Sequence, residues 1–165
     1  MKMLLASIAA LAIQPFVFLA YMGLPFALSP EAFPWDQLPG MVGLVTIFAL
    51  PHLVFLGIPV FLLLRRKGWL SASGIALSGF LIGTMLPLIL GWPRACHGCG
   101  SGGSFHGHYR DFMIDGKTTL YGWLSYAESA AIFGLHGTAG ALAFYFTWKW
   151  LQGKEQGAPS LETAS

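Results

Sequence analysis

The sequence predicts an all-α membrane protein, an antiparallel four-helix transmembrane bundle with one small loop region on its outer side. Three observations predict it. Of 165 residues only 10% are charged and 55% are hydrophobic, against roughly 25% charged in a soluble domain, so the chain lacks the polar surface to cover itself in water. The apolar residues fall into four long runs, and six of the nine lysines and arginines lie on one side of them. The same composition excludes disorder, collagen and coiled coil, which need few large apolar residues or a periodic charged pattern. A net charge of +2 is too small to attract nucleic acid.

A crossing helix takes about 20 predominantly apolar residues, because the hydrocarbon core is roughly 30 Å thick and each residue rises about 1.5 Å. Met3 to Leu28, Leu38 to Leu64 and Leu70 to Trp92 carry no Asp, Glu, Lys or Arg. A fourth run extends from Tyr126 to Trp150, with Glu128 at its mouth. Pro15, Pro25, Pro51, Pro59 and Pro87 lie inside these spans and read as kinks, since neighbouring helices and hydroxyl side chains can satisfy the freed carbonyls. Met1-Lys2 before an apolar run also suits a secretory signal. The run is longer, however, than the roughly 7 to 15 residues of a signal core, and a cut after Ala27-Leu28-Ser29 would leave Pro30 at the new start. The first span is therefore expected to remain as a helix.

Cytoplasmic loops carry the excess of Lys and Arg. Arg65, Arg66 and Lys67 join the second and third spans, Lys2 precedes the first, and Lys149 and Lys154 close the last. Both termini are thus expected on the cytoplasmic side of a bacterial inner membrane. Glu31, Asp36, Asp111, Asp115 and Glu128 fall on the other side, with only Arg94, Arg110 and Lys117 to offset them. Trp35, Trp92, Trp123 and Tyr126 would form the outer aromatic belt, and Trp69, Trp148 and Trp150 the inner one.

Residues 1–151 read as a single domain and 152–165 as a disordered, small and polar tail. Ser29-Pro30-Glu31 has the chemistry of a helix start, an N-cap followed by proline. The one long loop is 93–123. Its first half, Cys96 to His108, is glycine-rich and has no core of its own. Its second half places Asp115-Gly116 between Phe112-Met113-Ile114 and Lys117-Thr118-Thr119-Leu120, which predicts a β-hairpin with a type I′ turn, resting on the membrane because isolated hairpins are marginal in water. Gly79 and Gly83 form a GxxxG in the third span, and Gly134, Gly137, Gly140 and Ala141 offer a second small-residue surface in the fourth. Small residues let backbones approach where lipid gives no hydrophobic drive between helices. The third and fourth spans are the expected tight pair, with homodimerisation an equal use of the same motif.

Two constellations could carry chemistry. Cys96-His97-Gly98-Cys99 followed by His106-Gly107-His108 offers Cys96, Cys99, His106 and His108 as a tetrahedral zinc or copper set. The alternative is a Cys96–Cys99 disulfide on the oxidising side, inert or open to thiol exchange. A c-type haem would need His where Gly100 stands. With termini inside and a C-x-x-C outside, the topology is similar to that of the four-helix membrane thiol oxidases that pass electrons from periplasmic thiols to quinone. Those enzymes relay electrons between two cysteine pairs, whereas this chain has only Cys96 and Cys99, so the likeness stops at topology.

The second constellation is His52 and His136, on different spans and both near the expected midplane. Such a pair can ligate a b-type haem, bind quinone or relay a proton, with Gly137 and Gly140 leaving room for a flat cofactor. The plainer reading bonds each imidazole to a neighbouring helix's hydroxyl or a carbonyl freed by proline. Glu128 reads as part of a capping box, Ser125-Tyr126-Ala127-Glu128. Arg110-Asp111 reads as a solvated pair.

No nucleophile elbow, phosphate loop, paired catalytic carboxylates or nucleotide fingerprint is present. The leading expectation is a non-enzymatic inner-membrane protein: an accessory subunit of a larger assembly, a homo-oligomer, or a partner-binding protein of the toxin-neutralising kind. A redox or haem protein using Cys96/Cys99 or His52/His136 comes second, and a metal-handling protein third.

Overall fold

The computed structural model describes residues 1–27 and 35–156. The turn expected at Ser29-Pro30-Glu31 and the tail beyond Gln156 lie outside the described residues. The chain is mostly helical with a small three-stranded sheet, and four helical stretches, Lys2–Gly23, Leu38–Arg66, Ala72–Leu90 and Leu120–Gly153, are long and apolar enough to cross a membrane.

The first stretch is two helices, α1 (Lys2–Ala12) and α2 (Gln14–Ala27), parted at Ile13. Pro15 cannot donate to the Leu11 carbonyl, and Phe16 and Val17 both bond back to the Ile13 carbonyl at 3.1 Å. In the second stretch α3 (Leu38–His52) and α4 (Ile58–Arg66) are joined without a break by one π turn, Leu53–Gly57. Pro51 and Pro59 bracket that turn, each leaving the carbonyl four residues back without its usual donor; the wider π winding takes up the mismatch. The third is α5 (Ala72–Leu90), whose N-cap Ser71 accepts the Gly74 N–H at 3.0 Å.

The last helix, α6 (Leu120–Gln156), has 37 residues, about 55 Å at the usual rise, well beyond the roughly 30 Å of a hydrocarbon core. It corrects two expectations. Residues 152–156 continue the helix rather than opening the tail, and the helix starts at Leu120 rather than near Tyr126. Thr119 caps it, accepting the Gly122 N–H at 3.2 Å and donating to the Asp111 carbonyl at 2.6 Å. Ser125 is already helical, its carbonyl taking the Ser129 hydroxyl at 2.9 Å, so no capping box forms there and Glu128 sits two turns into α6.

α5 and α6 pack antiparallel, with Gly79 against Gly137 and Ala141, and Gly83 against Phe133 and Gly134. A Cβ on Gly79 would stand 2.5 Å from the Gly137 carbonyl oxygen. The GxxxG therefore serves the expected third–fourth pair inside one chain. Below this seam, toward the basic turn, lies the buried core of Ala6, Ala10, Phe61, Ile75, Phe144, Tyr145 and Trp148. Phe61 meets Phe144 and Trp148 edge-on, at ring centroid distances of 4.8 and 5.0 Å. Trp148 is thus a core residue and not part of an inner belt: it follows Phe144 by one turn on the same inward face of α6. At the opposite end Trp92, Trp123 and Tyr126 do gather, with centroids 5.5 to 6.0 Å apart.

The sheet runs β1 (Ser101–Phe105), β2 (His108–Ile114) and β3 (Lys117–Thr118), all antiparallel. The expected hairpin at Asp115-Gly116 is present, with φ of 48° and 75°, the left-handed pair a type I′ turn requires. His106-Gly107, with φ of 50° and 82°, makes a second such turn, so the glycine-rich half contributes a strand. Gly102 and Gly103 permit it because the side chains of Tyr109 and Phe112 lie across them; added Cβ atoms would come within 2.5 Å of the Tyr109 hydroxyl and 3.0 Å of the Phe112 ring. The sheet docks on the first turns of α6. Arg110 stacks over Tyr121 at 4.8 Å, Phe105 meets the same ring at 5.9 Å, and His106 Nε2 approaches Glu128 Oε2 at 3.3 Å.

Candidate ligand cavity

A cavity of about 470 Å³ opens between the helices above the core, with Phe61, Ile75 and Phe144 as its floor. α3 supplies one wall through Leu44, Phe48 and His52, and none of its residues is buried. α6 and the break between α1 and α2 supply the opposite wall, including His136 and Gln14. The two histidines singled out in the sequence therefore line one space.

Gln14 is the site residue that sequence reasoning missed. It is 6% exposed, at the first position of α2, where the chain's break turns its side chain toward α6. Its Nε2 donates to the Ala10 carbonyl and to the His136 carbonyl, each at 3.2 Å, and its Oε1 lies 2.9 Å from His136 Nδ1. The available signal was an amide in the middle of a 26-residue run free of charge (Met3 to Leu28), since a polar group at that depth must find a partner. Gly140 makes room for it, as a Cβ there would stand 2.6 Å from Gln14 Nε2. This corrects the idea that Gly137 and Gly140 leave space for a flat cofactor: Gly140 is filled by the Gln14 amide, and Gly137 lies against Gly79.

His52 ends α3 immediately before the π turn, and its Nδ1 donates to the Phe48 carbonyl at 2.8 Å. The bond stays within its own helix and does not use the Ile47 carbonyl that Pro51 leaves free. Both imidazoles thus have Nδ1 engaged, which sets the orientation of each ring.

The expected metal set is not brought together. Cys96 and Cys99 sit at the Asp115-Gly116 turn, where the Cys96 N–H reaches the Gly116 carbonyl at 3.4 Å and the Gly116 N–H reaches the Cys99 carbonyl at 2.8 Å. His106 and His108 sit at the other turn, seven strand residues away along β2, about 20 Å at the rise of a strand. Among the described residues no three His, Cys, Asp or Glu side chains are placed to hold a metal ion. The two sulfurs lie instead at disulfide distance, with Met113 Sδ 3.5 Å from Cys96 Sγ.

Compared with protein-family models, curated proteins and solved structures, the chain matches none.

Proposed function

We propose that this chain is an integral protein of a bacterial inner membrane, a four-helix bundle with its basic turn and both termini cytoplasmic, that binds a lipophilic small molecule inside the bundle. The observation that carries this is the meeting of Gln14, His52 and His136 on one mostly apolar cavity. Polar side chains at membrane depth are costly and face the interior for a purpose, and ligand pockets of roughly 300 to 1,000 Å³ are mostly apolar with a few placed polar groups. The positive-inside bias supports the orientation. Binding is tested by native mass spectrometry of protein released from its own membranes in mild detergent. A bound mass is expected on the wild type and lost in Ile82→Trp, which fills the cavity. Wild type free of any bound molecule, with unchanged spectra for the variant, overturns it.

A second reading, an accessory or partner-binding subunit, is favoured by α3. Among the described residues nothing lies within 4 Å of where a Cβ on Gly40 or Gly43 would stand, and small residues of that kind serve close helix contact. A protein that co-purifies in fixed ratio and is lost in Gly43→Leu supports this use. The same variant tests a homo-oligomer through its mass in detergent.

A further inference from the structure

We infer that the cavity takes a neutral, hydroxyl-headed lipophile, a phenol or hydroquinone, whose O–H donates to the Nε2 of His136 or of His52. This rests on the cavity being a ligand site and deepens it. The protonation pattern follows from the hydrogen bonds. A carbonyl oxygen only accepts, so the atom facing the Phe48 carbonyl, His52 Nδ1, carries the proton. Gln14 Nε2 is identified by its two carbonyl acceptors, Ala10 and His136, so the atom facing His136 Nδ1 is the amide oxygen, and that Nδ1 carries a proton too. Among the described residues the lining holds no Asp, Glu, Lys or Arg, so no charged partner there favours a cationic imidazole. A neutral ring protonated at Nδ1 has its lone pair at Nε2.

The remaining polar side chains sharpen the match. Ser78 and Ser129 line the cavity but donate to the Ile75 and Ser125 carbonyls, each at 2.9 Å. Both Gln14 amide protons are engaged, which makes it a positioning residue for His136. The one other side-chain donor is the Tyr21 hydroxyl, two turns along α2 from Gln14, about 10 Å away. Tyr21 apart, the polar side-chain atoms left open on the two facing walls are therefore the imidazole acceptors, and a ligand that brings the donor complements them. A porphyrin fits less well despite the paired imidazoles, because its two carboxylates would meet no cation in this lining.

The test compares two probes of one shape, 4-decylphenol and its methyl ether, against wild-type protein in lipid nanodiscs. The phenol is expected to bind about tenfold more tightly, a difference of about 1.4 kcal/mol. That preference should fall to near unity in His52→Phe/His136→Phe and weaken in Gln14→Leu, where His136 loses its orienting partner. Equal binding of phenol and ether by the wild type overturns the inference without any variant having to fold. A Soret band in protein from its own membranes also overturns it, by giving Nε2 to iron. If neither probe binds, the donor-headed ligand is wrong; a different co-purified mass would then leave the cavity's binding role standing, and its absence would remove both.

Discussion

The two sides of the helical assembly are built on opposite packing rules. Along the α5–α6 seam, glycines bring backbone against backbone, and Gly79, Gly83 and Gly137 leave no room for even one added carbon. Across the molecule α3 buries none of its residues, touches α2 and to a lesser extent α1, and leaves a cavity of about 470 Å³ between itself and α6. Both sides carry glycines at helical spacing. What separates them is whether another helix of the same chain reaches the small residue. A close-packed seam thus holds His136 in place, while the wall carrying His52 has few neighbours to restrain it, which suits the ligand-binding role proposed above.

The contrast is broken most severely at the seam. Gly79→Leu forces a side chain into the Gly137 carbonyl and is expected to cost 3 kcal/mol or more, above the usual ~1–3 for overpacking, whereas Gly43→Leu on α3 should leave the thermal midpoint of the detergent-solubilised monomer unchanged. Equal midpoints for the two variants would show that the seam is not tight. Next is Gln14→Leu, which removes the amide's bonds to the Ala10 and His136 carbonyls and leaves the His136 Nδ1–H without its acceptor; a loss of about 1–2 kcal/mol is expected from membrane hydrogen bonds worth ~0.6 each plus one unsatisfied donor, read by SDS-driven unfolding. Gly116→Ala should cost about 1–2 kcal/mol locally, since its φ of +75° is strained for alanine and the Cys96 carbonyl abuts it. Faster proteolysis between Cys96 and Lys117, with the helices unaffected, is the expected readout. Smallest is Glu128→Gln. His106 is 67% exposed in that pair, so removing the charge should change stability by no more than about 0.5 kcal/mol, and a larger loss would mean that the sheet is clasped to α6 chiefly through this contact.

Legibility followed the range of each interaction. The Asp115-Gly116 turn was readable because a type I′ turn is decided by two residues. The partnering of the third and fourth spans was readable because small residues at helical spacing have few other uses in lipid. The start of α6 was misplaced because Lys117 to Leu120 fits a strand as well as a cap, and only the Asp111 and Phe112 carbonyls, brought alongside by the sheet, assign Thr119 to the helix. The metal set failed for a similar reason. Cys96, Cys99, His106 and His108 are close in sequence, yet a strand of seven residues runs between their two turns.

Taken alone, the sequence determined the four apolar stretches, the bias of charge about them, the hairpin turn and the place of His52 and His136 inside two of those stretches, because hydropathy and turn chemistry are properties of short segments. Only the tertiary structure decided that the two histidines share one cavity, that Gln14 locks one of them, and that the cysteines and the outer histidines stand apart. Those outcomes depend on which helix a break at Ile13 turns toward, and on which glycine has a neighbour, and both are settled by contacts between residues far apart in the chain.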